Sequence, residues 1–215
     1  MTQPQQAQES ATTAYTVTAR DLQATVIAAV YFFFVLGSYY IVRPVREQLG
    51  AAAGGSDVLP WLWTGTFIAT VVLTPFYGAI VARFPRRIFI PIAYAFFAIG
   101  MIAFSTIASS EHPATWMAVA FYIWVSVFNL FVVAVFWSFM ADIFTDEQAR
   151  RLFGPIGIGG TLGAIAGPAA AKLLVGDIGV IGLMWLSSGA LVLALGCMLL
   201  LSRWAKRHGR RDVAI

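Results

Sequence analysis

Six uncharged, mainly apolar windows dominate this 215-residue sequence: 24–42, 61–82, 88–108, 116–141, 153–171 and 180–201. Each is about 19 residues or longer, and at about 1.5 Å of helical rise per residue each spans the roughly 30 Å hydrocarbon layer of a bilayer. Only a helix satisfies its own backbone hydrogen bonds in hydrocarbon, so the windows read as helices. One such run fits a soluble core, but six in succession do not. The expected fold class is an all-α integral membrane protein with six transmembrane helices.

Charge placement supports this reading. Charged residues make up only 11% of the chain, against about a quarter in soluble domains. Six crossings place residues 1–21, the second–third loop, the fourth–fifth loop and the C-terminal stretch on one side. These carry Arg20; Arg83, Arg86 and Arg87; Arg150 and Arg151; and Arg203, Lys206, Arg207, Arg210 and Arg211. The opposite side carries Arg43, Arg46 and Lys172. Eleven basic residues against three put both termini in the cytoplasm by the positive-inside rule. Trp61, Trp63 and Trp116 are expected to mark outer ends, and Trp204 an inner end. The parts are then a polar, disordered tail (1–21), a transmembrane domain (22–202) and a basic tail or start of a central loop (203–215). The expected location is the inner cell membrane.

Several chemistries are excluded. The net charge of +4 forms no basic stripe with stacking aromatics, so no nucleic-acid partner is expected. Cys197 stands alone in the sixth window, and His112 and His208 lack an acidic partner at catalytic spacing. No zinc spacing, phosphate loop or Ser/His/Asp arrangement occurs. An enzyme, a metal site and a cofactor are not expected.

Two features exceed generic packing. Gly159, Gly163 and Gly167 recur every four residues and precede Pro168. Small residues at this spacing let helices approach closely, and Gly-Pro also allows a hinge. Arg43 and Arg46 break the charge bias at the outer end of the first segment, beside Tyr39 and Tyr40. They read either as arginines snorkelling to headgroups, with Arg43 paired to Glu47, or as an anion-accepting wall. The first segment is expected to stop at Arg43-Pro44, because proline disfavours helix in the residue before it. Residues 51–57 are expected to form a flexible outer loop, and 142–151 a charged inner loop.

In the fourth segment, Tyr122, Ser126 and Asn129 share a face. Asn129 reads either as interhelical glue or as a solute contact. Asp142, at an inner end, is within reach of Arg83 or Arg86 as an inner gate or a structural pair.

The loops carry a resemblance. Gly78-Ala79-Ile80-Val81-Ala82-Arg83-Phe84-Pro85-Arg86-Arg87 resembles the helix 2–3 signature of the major facilitator superfamily, with Ala82 and Pro85 where that signature has Asp and Gly. Ala141-Asp142-Ile143-Phe144 with Arg150-Arg151-Leu152-Phe153-Gly154 resembles its helix 4–5 loop, and Gly159-Gly160 through Gly167-Pro168 its glycine-rich fifth helix. Tyr39 through Glu47, and the run from Phe128 to Asp142, resemble the ATP/ADP translocase-like branch. The resemblance implies one half of a 6+6 bundle that meets a second six-helix half, from a longer chain or another copy. It also implies alternating-access transport of an organic anion, with nucleotide exchange as the branch's activity. The substrate-binding candidates are Arg43, Arg46, Tyr39, Tyr40, Tyr122, Ser126 and Asn129. The alternative is a non-transporting six-helix scaffold.

Overall fold

The computed structural model describes residues 19–109 and 115–207, apart from the side chains of 19, 20, 56, 80–82, 86 and 87. The expected tail over 1–18, the loop with His112, the basic residues Arg210 and Arg211, and the side chains of Arg20, Arg86 and Arg87 lie outside that description. The described residues form five α-helices: α1 (Ala19–Ala52), α2 (Leu59–Arg83), α3 (Arg86–Ala108), α4 (Thr115–Ile143) and α5 (Asp146–Arg207). All five are long and apolar enough to cross a membrane.

The expectation was six helices, and the difference lies in α5. This 62-residue element leaves helical geometry at Gly179, where φ is 66° and ψ is −175°. That left-handed φ suits glycine, which has no Cβ to clash. The residues on either side, 146–178 and 180–207, form two arms. Both lie along α1, in opposite directions. Gly159, Gly163 and Gly167 of the first arm meet Ala29, Phe33 and Gly37 in ascending order, so this arm is parallel to α1. In the second arm Ser187 donates to the Ser38 carbonyl at 2.8 Å, and Cys197 lies near Tyr31, so that arm is antiparallel.

The other helices alternate in the same way. Phe32 of α1 stacks on Phe136 of α4, Tyr31 meets the same ring edge-on, and Tyr39 packs at a tilt near Phe128, so α1 and α4 are antiparallel. Tyr77 of α2 meets Phe131 of α4, while Trp63 meets Tyr122, so α2 and α4 are parallel. Phe97 and Phe104 of α3 both pack on Trp124, and Phe104 on Phe121, which makes α3 and α4 antiparallel.

The core centres on α1, where Tyr31, Val35, Ser38 and Val42 are fully buried. The Tyr31 and Tyr94 hydroxyls hydrogen-bond to each other there and tie α1 to α3. α2 is the outlying helix. Among its described side chains Leu62 is the buried apolar residue, and Phe67, Ile68, Val71, Val72 and Phe76 are exposed. Lipid tails are as apolar as these side chains, so exposure carries no hydrophobic cost in a bilayer.

Three segment ends differ from expectation. α1 does not stop at Pro44 but continues to Ala52. The missing proline N–H costs one helical bond, but the added turns bury Val45 and seat Gly50 against Leu62 and Tyr122. The expected loop over 51–57 is accordingly a short turn with a 3-10 helix at Gly55–Asp57. The expected inner loop over 142–151 shrinks to Phe144 and Thr145. Thr145 and Gln148 form a capping box: the Gln148 N–H donates to Thr145 Oγ1 at 3.4 Å, and the Thr145 N–H donates to Gln148 Oε1 at 3.3 Å. Trp61, Trp63 and Trp116 are exposed, whereas Trp204, near the C-terminal end of α5, is buried against the other helices.

Candidate functional site

The antiparallel crossing of α1 and α4 builds the site. Tyr39, Arg43 and Arg46 follow helical spacing on α1; Tyr122, Ser126 and Asn129 do so on α4. Pro44 does not end α1, so Arg46 is carried over the N-terminal part of α4. Its Nη1 donates to Ser126 Oγ at 3.0 Å, and its guanidinium lies 4.8 Å from the centre of the Tyr122 ring. A ring face attracts a cation, more strongly when water is excluded.

The partners of Arg46 are themselves held. Ser126 Oγ donates to the Tyr122 carbonyl at 2.8 Å. The Tyr122 hydroxyl accepts from Trp63 Nε1 at 3.2 Å. Gly50, one turn beyond Arg46, leaves room for the Tyr122 ring, since a Cβ there would sit 2.7 Å from it. The Arg46 side chain is only 13% exposed. Its Nε is buried and has no hydrogen-bond partner among the described residues.

The pairing of Glu47 differs from expectation. Glu47 Oε1 bonds Arg46 Nη2, not Arg43. Adjacent residues on a helix rarely face each other. Here Arg46 is drawn toward α4 by Ser126 and Tyr122, and Glu47 turns to follow it. Arg43 is exposed, with its guanidinium 5.6 Å from the Tyr40 ring centre. Tyr40 in turn packs against Gly167. Tyr39 is buried, packs edge-on against Tyr40, and lies within electrostatic range of both arginines. The structure thus gathers Arg46, Tyr122 and Ser126 around one point, with Tyr39 behind, and sets Arg43 and Tyr40 to the side. Asn129 is half-buried one turn from Ser126, and no hydrogen bond to its amide is found among the described residues.

Trp63 and Gly50 belong to the site, and sequence reasoning did not pick them out. The one available signal was that Gly50 lies one helical turn from Arg46. The pairing of Trp63 with Tyr122 joins distant segments and leaves no local trace.

The inner candidates lie at the opposite end of the bundle. α2 and α4 are parallel, so Arg83 and Asp142 end on the same side, and both are exposed. On that side Gln148 Nε2 donates to Asp21 Oδ1 at 2.8 Å and links the starts of α5 and α1.

The family model described as Major Facilitator Superfamily matches residues 24–215, which is most of the chain. The chain belongs to the Major Facilitator Superfamily. It is therefore a multi-pass membrane protein of a transporter family. No curated protein and no solved structure matches it.

In this facilitator-family chain the Gly159, Gly163 and Gly167 face is a contact surface. A methyl group added at Gly159 or Gly163 would overlap the backbone carbonyl of Ala29 or Phe33. At Gly167 it would lie 2.7 Å from Tyr40 Cβ and 3.0 Å from the Gly37 carbonyl oxygen. Pro168, next to it, is half-buried. An apolar groove of about 550 Å³ lies between α2, α3 and α4, lined by Tyr77, Phe89, Phe97, Trp124 and Phe131 among others. Its lining has no charged side chain, so it suits hydrocarbon and not a charged solute. The Arg46 cluster offers only non-covalent chemistry: a largely buried guanidinium, held by the Tyr122 ring face and the Ser126 hydroxyl, with N–H donors of the kind that bind oxyanions.

Proposed function

We propose that this chain is the N-terminal-type half of a secondary transporter that moves an organic anion by alternating access. The observation that carries the reading is Arg46, a largely buried guanidinium in an apolar helix with a donor left over. An ionisable residue within membrane helices is expensive and marks a functional site by default. In this reading Arg46, Tyr122 and Ser126 receive the anionic group, and Tyr39, Tyr40, Arg43 and Asn129 line the approach. The resemblance of the Tyr39–Glu47 stretch to the ATP/ADP translocase-like branch makes nucleotides the first solutes to try.

The two arms of α5 count as separate crossings, which makes six with alternating direction. Eleven basic residues against three favour both ends in the cytoplasm, in the inner membrane of the cell. A second six-helix half, from a longer chain or another copy, faces this one across the solute, as in carriers built from repeats. As the halves rock, the Asp21–Gln148 link and pairs between Asp142 and Arg83 or Arg86 open and close the cytoplasmic side. The glycine face of the first α5 arm is the surface on which it moves against α1.

Counterflow in proteoliposomes tests this reading with ADP, succinate and inorganic phosphate as probe solutes. Arg46→Ala is expected to cut flux by about a hundredfold, in line with losing a buried charge-assisted contact of roughly 3 kcal/mol. Flux that survives unchanged removes the anion site. No flux of any probe by the parent favours a non-transporting scaffold.

A further inference from the structure

The geometry points to Glu47 as a displaceable counter-ion that occupies one arm of the Arg46 fork and must leave before a solute oxyanion can bind there; this rests on the reading of Arg46 as the anion site.

A guanidinium offers five N–H donors in a fixed plane. Nε and Nη2 share one edge of that plane, and together they fit two oxygens of a carboxylate or phosphate. In this chain the edge is half used. Glu47 holds Nη2 through a single oxygen, while Nε, buried beside it, has no partner among the described residues. The remaining terminal nitrogen, Nη1, is committed to Ser126. Arg46 therefore has one edge facing an oxyanion, and its own neighbour fills that edge incompletely.

The two partners differ in how freely they can move. The Arg46 side chain is 13% exposed and is gripped by Ser126 and Tyr122; that of Glu47 is 47% exposed. A half-exposed carboxylate returns to water with little desolvation cost, whereas the buried cation has nowhere else to go. An incoming oxyanion with two oxygens gains the Nε bond that Glu47 leaves unmade. When the solute leaves, Glu47 returns and prevents an unpaired charge from being stranded in the apolar wall. Glu47 thus weakens binding while allowing release, and it sets a preference for groups with two oxygens in one plane over a lone negative atom.

Binding of inorganic phosphate and of chloride to the purified full chain, read as a thermal-melting shift in micelles, tests this. Glu47→Gln is expected to lower the half-saturating phosphate concentration by about tenfold relative to the parent, and chloride, which meets the same freed Nη2 but has no second oxygen for Nε, should still need a higher concentration than phosphate. Arg46→Ala is expected to lose the phosphate response. If Arg46→Ala responds like the parent, the anion site itself is wrong. If Arg46→Ala loses the response while Glu47→Gln needs the same phosphate or more, the anion site stands and the counter-ion role falls. Glu47→Asp, one methylene short of Nη2, provides the same comparison should Glu47→Gln not fold. Chloride as effective as phosphate in the Glu47→Gln protein would reduce the site to a plain charge and overturn the fork argument. Failure of every carboxylate variant to respond to phosphate overturns it too.

Discussion

Arg46 and Tyr31 show how differently two buried polar side chains serve one helix. Tyr31 is fully buried and closed off, its hydroxyl matched by that of Tyr94. Arg46 is left with an unused donor. The first pattern belongs to a structural contact, because every polar group in it is satisfied within the protein. The second leaves a group that a ligand can complete. Tyr31→Phe removes one hydroxyl and strands the other in the core. It is expected to lower stability by about 1 kcal/mol, measured by unfolding in mixed micelles, with transport by the folded fraction unchanged. Arg46→Lys keeps the charge but gives up the planar fork. Counterflow should fall less than for Arg46→Ala but well below the parent.

The glycines of α5 work at the scale of the helix. Gly159, Gly163 and Gly167 press on the α1 backbone, while a Cβ at Gly154 or Gly157 would meet nothing within 4 Å. Gly163→Leu is expected to separate α1 from the first arm and to abolish folded protein in the membrane, seen as loss of the monodisperse peak after detergent extraction. Gly157→Ala is expected to leave the melting midpoint unchanged, or raise it slightly, because alanine favours the helix and fills open space. The spacing of the small residues was legible in the sequence, since a four-residue repeat marks one helical face. Which helix that face meets was not, because small residues suit any close neighbour.

At the scale of the whole molecule, the break at Gly179 decides the topology. An unbroken helix of 62 residues at about 1.5 Å per residue would be far longer than a bilayer is thick. The turn-back at Gly179 instead lays both arms along α1 in opposite directions. The six-crossing reading therefore places Asp177 and Thr145 on opposite sides of the membrane. In a Cys197→Ala background, Asp177→Cys should react with an impermeant thiol reagent added outside intact cells, and Thr145→Cys only after permeabilisation. The reverse pattern, or labelling of both from one side, would overturn the proposed orientation.

The sequence by itself determined that this chain is a bundle of membrane helices. Apolar length and the absence of charge are local properties, and a bilayer admits only helical solutions to them. It also pointed to Arg43 and Arg46, because a charge in apolar surroundings stands out without any neighbour being known. The tertiary structure separated the two. It carried α1 through Pro44 because Val45 is buried in the core and Gly50 finds neighbours on α2 and α4, and that continuation set Arg46, not Arg43, over Tyr122 and Ser126. The same crossing brought in Trp63 and turned Glu47 onto Arg46. Each of these outcomes depends on contacts between residues far apart in the chain, and local spacing carries no record of them.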